Sequence, residues 1–238
     1  MFSLFKSKKS SKCGAVVLAA GSSQRMGTDK MFMVLCGKPV VIRSLEVFEK
    51  SDLIDEIIVV TREQRIQELA DLIHSYDLKK VRKVVLGGNT RCESSLAGIS
   101  ALSKDIDLVA IHDAARPFVT ESLLDRTVEA AKKYMAAIPV IDTPDTVKFI
   151  DGDVVTATTV RETTKLVQTP QVFNTDIIKG ALTHAIKNNI AVYDDSSAVD
   201  AFNIKTHVVE GDPNNIKLTY SKDVYFAEGI LKAGGESL

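Results

Sequence analysis

Neither charge nor hydrophobicity is concentrated enough in this chain to announce a class. Over 238 residues, 30 Lys and Arg stand against 31 Asp and Glu, a net charge of −1. No field of one sign exists to hold a nucleic-acid backbone, which disfavours a dedicated nucleic-acid binder. No apolar run approaches the roughly 18 residues that a membrane span requires. Met1-Phe2-Ser3-Leu4-Phe5 is too brief for the core of a secretory signal, and lysines follow it rather than a cleavage site. Cysteine is scarce and odd in number: Cys13, Cys36 and Cys92 lie far apart, without the CxxC spacing of a zinc site. That usage suits a reducing compartment, so a cytoplasmic protein without membrane attachment is expected. Two phosphate-binding patterns are missing as well. Ser23 stands where a GxGxxG would need its second glycine, and Gly27 is followed by Thr28 rather than by the Lys-Ser/Thr of a Walker loop.

What is present is an ordinary globular composition, 45% hydrophobic and 26% charged, ample for a core without disulfides. Lys6, Lys8, Lys9 and Lys12 make residues 1–12 a basic tail, expected to be flexible, ahead of one domain over 13–238. From there, apolar runs alternate with amphipathic stretches. Strands are expected at Ala15–Ala20, Glu56–Thr61, Val81–Leu86 and Asp107–His112. Helices are expected at Pro39–Glu49, Glu63–Ser75, Arg91–Leu102 and Glu121–Tyr134. That alternation predicts an α/β fold, a doubly wound, mostly parallel Rossmann-like sheet. The rhythm breaks at about 140–170, where Thr and Val abound around Asp151-Gly152-Asp153; this predicts a protruding β-hairpin arm. Helices near Thr175–Asn188, Ser196–Phe202 and from Ser221, with a strand at Thr206–Glu210, complete the expectation.

In such a sheet, ligands bind beyond the carboxyl ends of the strands. After the first strand, Ala19-Ala20-Gly21 lets backbone approach a phosphate chain that Arg25 and Lys30 can neutralise; the competing reading is a hydrated turn. After the third, Gly87-Gly88-Asn89 and Ser94 offer close contact and hydrogen bonds to a base edge. After the fourth, Asp113 in His112-Asp113-Ala114-Ala115-Arg116-Pro117 is placed to ligate Mg²⁺ or another divalent cation bound to a phosphate chain. Otherwise Asp113 is an N-cap or an ion-pair partner of Arg116. His112 is expected to face away from Asp113 as a structural residue. The three loops together describe a nucleoside triphosphate site without a Walker loop.

Ala19-Ala20-Gly21-x-x-x-Arg25-Met26-Gly27, Lys30, Gly87-Gly88-x-x-Arg91-x-x-Ser94, His112–Pro117, Gln168-Thr169-Pro170-Gln171 and Asn215-Ile216-Lys217-x-Thr219 occur in that order. In this the chain resembles the 2-C-methyl-D-erythritol 4-phosphate cytidylyltransferases of the non-mevalonate isoprenoid pathway, over residues 13–232. The resemblance implies the nucleotidyltransferase type of fold. It also implies a reaction of CTP with a polyol phosphate that yields a CDP-linked alcohol and pyrophosphate. Arg25 and Lys30 match the cations that stabilise the transition state, Asp113 the Mg²⁺-linked acid with Arg116 beside it. Ala19, Ala20, Gly21, Gly88, Asn89 and Ser94 match positions that contact CTP, and Lys217 the lysine that holds the attacking phosphate. Arg161 matches an arginine reaching from the arm into the partner's site, so a homodimer through the arm is implied.

The chain departs from the family at Thr28-Asp29-Lys30-Met31, at Asn89, which is often acidic, and at Tyr193. Asp142-Thr143-Pro144-Asp145-Thr146 offers two registers for a substrate-facing threonine, Thr146 or Thr143. These differences keep the ribitol-5-phosphate cytidylyltransferases as the alternative, although the doubled alanine after Asp113 favours the methylerythritol enzymes. A non-catalytic nucleotide sensor is the other alternative, and it has no use for Lys217.

Overall fold

The computed structural model describes residues 11–21 and 30–235. The first half forms β1 (Cys13–Leu18), β2 (Val34–Leu35), β3 (Lys38–Pro39), α1 (Val40–Lys50), β4 (Glu56–Thr61), α2 (Ile66–Ser75), β5 (Val81–Leu86) and α3 (Arg91–Ala101). The middle adds β6 (Leu108–Asp113), α4 (Glu121–Tyr134), β7 (Ala136–Asp142), β8 (Lys148–Asp151), β9 (Val154–Thr158), β10 (Lys165–Val167) and β11 (Gln171–Asn174). Then follow α5 (Thr175–Lys187), α6 (Asp195–Ala201), β12 (His207–Glu210) and α7 (Asp223–Ala233).

The main sheet runs β5–β4–β1–β6–β11–β7, with β10 and β12 also paired to β7. The strands β5, β4, β1 and β6 are mutually parallel, and β12 joins β7 in parallel. Antiparallel pairing is confined to β11 and β10. Continuous apolar runs become the central strands because both faces need covering. On one face, Ala15 and Val17 pack with Val41, Leu45 and Phe48 of α1 and Leu123 of α4. On the other, Val16 packs with Ile99 of α3 and Leu182 of α5. That alternation is the period of two of a strand.

Strand order reverses at β1: the chain moves outward to β4 and β5, then returns across to β6. A crevice at the carboxyl ends of β1 and β6 is the consequence. Gly98 sets how closely α3 borders it, since a Cβ there would lie 2.4 Å from Val16 Cγ1 and 2.7 Å from Val60 Cγ2. A third, smaller cluster holds the far wall. Leu218 is buried with Leu35, Val40 and Leu231, and Arg43 steadies the β2–β3 turn by donating to the carbonyls of Leu35 and Cys36.

Two expectations need correction. The first strand stops at Leu18: the Ala19 N–H makes a last bond to the Val60 carbonyl of β4 (2.7 Å), and Ala19 and Ala20 then border the crevice. The arm is smaller than 140–170, because β7 continues through Asp142 and β10 begins at Lys165, both paired in the main sheet. Only 143–164 leave it, carrying the separate β8–β9 hairpin with its turn at Gly152. Residues 1–10 of the basic tail lie outside the described residues. No helix among those described is long and apolar enough to cross a membrane.

Candidate active site

A cavity of ≈ 660 Å³ opens at the reversal point, a size suited to a nucleotide. Ala19, Ala20, Gly21, Lys30, Gly88, Asn89, Ser94, Asp113 and Lys217 all line it. Segments from four parts of the chain are thus brought together as the loop positions predict. Arg25 lies outside the described residues.

Asp113 ends β6, and it is where the chemistry concentrates. Its main-chain N–H donates to Thr169 Oγ1 (3.1 Å), and the Thr169 hydroxyl lies 3.0 Å from His112 Nδ1. The other ring nitrogen of His112, Nε2, lies 3.1 Å from the carbonyl oxygen of Arg116. A carbonyl only accepts, so Nε2 carries the proton and Nδ1 accepts from Thr169. Burial pushes the His112 imidazole down to about 4, which keeps the ring neutral, so that its two partners can set the tautomer. His112 packs against Phe48 on the α1 side of the sheet, so the expected opposition of His112 and Asp113 across the strand holds.

The Asp113 carboxylate does not pair with Arg116. Its Oδ2 accepts from Lys217 Nζ at 2.6 Å, and its Oδ1 from Arg91 Nη1. Burial works against the Asp113 charge, but Arg91 and Lys217 outweigh it and hold the carboxyl far below its usual range. Arg116 instead donates to the carbonyls of Asn215 (2.7 Å) and Val167 (3.4 Å). It thereby ties the segment that carries Lys217 to the strand that carries Asp113. Lys30 Nζ donates to the Leu218 carbonyl at 2.9 Å. The Lys217 and Lys30 ammonium groups therefore share one wall of the crevice, positioned by the burial of Leu218.

On the opposite wall, Thr90 caps α3 in a reciprocal pair with Glu93. The N–H groups of Asn89 and Thr90 both donate to Glu93 Oε2 (2.6 and 3.1 Å), and that of Gly88 to Ser94 Oγ (3.1 Å). This turn is pre-shaped by its own side chains. A Cβ on Gly88 would lie 2.2 Å from that of Glu93, so only glycine fits there.

Arg161 and Thr146 sit on the arm, away from the cavity, with Arg161 Nη2 donating to Thr146 Oγ1 at 2.8 Å. Thr143 is buried at the arm's root. The residue that sequence reasoning passed over is Arg91. It stands inside a quoted motif, and its significance depends on Asp195, 104 positions away, whose Oδ2 accepts from Arg91 Nη2 at 2.7 Å.

Among the described lining residues, three cations thus share the cavity with one carboxylate, which two of them pair with. This arrangement suits an anionic ligand and offers no nucleophile–base dyad. Comparison with known proteins agrees. Residues 13–233 match the family model of 2-C-methyl-D-erythritol 4-phosphate cytidylyltransferase. The protein of that name from Halalkalibacterium halodurans is 42% identical over 91% of this chain and 95% of its own length. Its namesake from Geotalea uraniireducens is 39% identical over 92% and 96%. The crystal structure of 4-diphosphocytidyl-2C-methyl-D-erythritol synthase from Anaerococcus prevotii superposes with a TM-score of 0.84 at 33% identity, covering 93% of this chain and 96% of that one. By sequence over nearly its whole length and by fold, this chain belongs to the 2-C-methyl-D-erythritol 4-phosphate cytidylyltransferase family.

Proposed function

We propose that this protein transfers the cytidylyl group of CTP to 2-C-methyl-D-erythritol 4-phosphate, releasing pyrophosphate, in isoprenoid precursor synthesis in the cytoplasm. The observation that carries the reading is the convergence of Lys30, Arg91, Lys217 and Asp113 on one cavity at the reversal point of the sheet. The nucleophile in such a reaction is already a phosphate anion, so a general base has nothing to remove. What opposes reaction is repulsion between two anions, and fixed cations that also hold the attack in line overcome it. In this reading Lys217 takes the attacking phosphate, while Arg25 and Lys30 meet the charge that develops at the α-phosphate. Ala19, Ala20, Gly21, Gly88, Asn89 and Ser94 receive the nucleotide.

Asp113 is the residue we assign to Mg²⁺ or another divalent cation. No cluster of three or more His, Cys, Asp or Glu occurs among the described residues. A lone carboxylate suits an ion that completes its shell with substrate phosphates and water. Such an ion, when bound, would neutralise the triphosphate and stabilise the departing pyrophosphate.

The arm supports a homodimer. Phe149, Ile150, Val154 and Val155 are each more than half exposed on a hairpin of two short strands. A surface of that kind is better accounted for by a second copy than by water. In that dimer, Arg161, Arg116 and Thr146 serve the polyol phosphate, Arg161 across the interface.

The test is pyrophosphate release from CTP and Mg²⁺ with a panel of polyol phosphates. Release is expected with 2-C-methyl-D-erythritol 4-phosphate. Faster release with ribitol 5-phosphate would move the protein to that alternative, and none with any acceptor would leave a nucleotide sensor.

A further inference from the structure

Arg91 lines the cavity, yet both terminal nitrogens of its guanidinium are committed to the protein, one to Asp113 and one to Asp195. Asp195 is wholly buried. Its Oδ2 accepts from Arg91, and its Oδ1 accepts from Ser95 Oγ at 2.5 Å. Arg91 and Ser95 are four residues apart on α3 and so share one face of that helix. Asp195 therefore grips α3 at two points. Its own backbone is fixed by Asp194, which caps α6 and accepts from Gln171 Nε2 at 2.7 Å.

The two oxygens of Asp113 consequently have unequal partners. Oδ1 is held by Arg91, which cannot leave without stranding a buried carboxylate, a costly arrangement. Oδ2 is held by Lys217, whose side chain is 39% exposed and lies on a flexible stem in the cavity wall. One side of the carboxylate is thus a fixed anchor and the other an exchangeable one.

We propose that Asp195, acting through Arg91, is a positioning residue that holds Oδ1 of Asp113 in place while Lys217 releases Oδ2 to engage the incoming phosphate. The proposal rests on the cytidylyl-transfer reading. It differs from a purely structural role, in which the Arg91–Asp195 pair only ties α6 to α3.

The experiment is a double-mutant cycle of Asp195→Asn and Arg91→Lys, reading kcat, KM for both substrates and melting temperature. Asp195→Asn is expected to lower kcat about tenfold or more while KM for CTP stays within about threefold. Because both changes act on one contact, the double variant is expected within about twofold of Arg91→Lys alone. Unchanged kcat with a lowered melting temperature, or effects that simply multiply, would overturn the proposal. Should Asp195→Asn fail to fold, Ser95→Ala takes its place in the cycle; there a drop of about threefold that vanishes in the Arg91→Lys background is expected, and a multiplying effect overturns the idea.

A second readout needs no turnover. The ¹⁵N–¹H resonance of Arg91 Nε, assigned by its loss in Arg91→Lys, should shift or broaden in Asp195→Asn and persist in Asp113→Asn. An unshifted signal in Asp195→Asn would overturn the proposal. Failure of the wild-type protein to release pyrophosphate would instead count against the cytidylyl-transfer reading and leave this measurement standing.

Discussion

The cavity and the arm solve opposite problems with the same chain. Around the cavity, Asp113, Arg91, Lys217 and Asp195 form a closed set of charges, each satisfied by another part of the same protomer. On the arm, apolar side chains face outward and the exposed Arg161 donates to the hydroxyl of the exposed Thr146. A region satisfied within its own chain is ready to bind a ligand. A region that leaves Phe149 and Val154 in water is incomplete until something covers it. Under the proposed function, the body supplies the electrostatics of reaction, and the arm is the part whose role depends on a second copy.

The hardest blow to this comparison would come from Lys30. Replacing it with alanine removes a preorganised charge from the cavity wall, and a loss in kcat of at least about two orders of magnitude is expected. The measurement is steady-state pyrophosphate release at saturating CTP. A kcat within about threefold of wild type, a difference of well under 1 kcal/mol, would take Lys30 out of the reaction.

The arm is tested by complementation. Arg161→Ala and Lys30→Ala are each expected to be inactive alone. If Arg161 serves its neighbour, random exchange makes about half of the dimers mixed, each with one intact site, so about a quarter of wild-type activity returns. Verified exchange without recovery would place Arg161 in its own chain's site and leave the arm no part in a neighbour's.

How much of this was legible beforehand follows the same divide. The central strands announced themselves by continuous apolar runs, and Asp113 by its place at a strand's end, because both signals are local. Arg91 was visible as a letter in a motif, but its meaning lay in Asp195, which only the packing of α5 and α6 on α3 brings near. The arm was overestimated because strand pairing is not local: nothing in Leu166 or Val167 says that they pair with β7 rather than extend the hairpin. The register at Thr143 and Thr146 could not be chosen from sequence, since burial of one and exposure of the other depend on where β7 ends.

A matched pair of truncations sharpens the comparison further. Leu218→Ala opens a void beneath Lys217, where Leu218 is fully buried with Leu35 and Val40. A stability loss of about 2–4 kcal/mol is expected from urea unfolding. Phe149→Ala, 60% exposed in the single chain, should cost within about 0.5 kcal/mol of protomer stability while weakening self-association measured by sedimentation. Equal losses at the two sites would mean that the arm is packed on its own protomer after all.

A modest effect lies directly behind the cavity, and it separates the two regions by their response to acid. His112 is wholly buried, and burial lowers its folded pKa from an ordinary 6.5 to about 4. As pH falls below 6.5 the unfolded chain takes up a proton at this position and the folded chain does not, so unfolding is favoured. The stability that neutral His112 allows is therefore whole above pH 6.5 and is lost progressively down to about pH 4. Between pH 7 and 5.5 the expected loss is about 1 kcal/mol. Urea unfolding at both pH values, with chelator present, without nucleotide and at fixed protein concentration, measures it. His112→Gln keeps an amide donor toward the Arg116 carbonyl but has no proton to gain, so its pH slope should be shallower by that same amount. Equal slopes for the two proteins would show that His112 titrates freely in the fold, and the Thr169–His112 support beneath Asp113 would then be looser than the geometry describes.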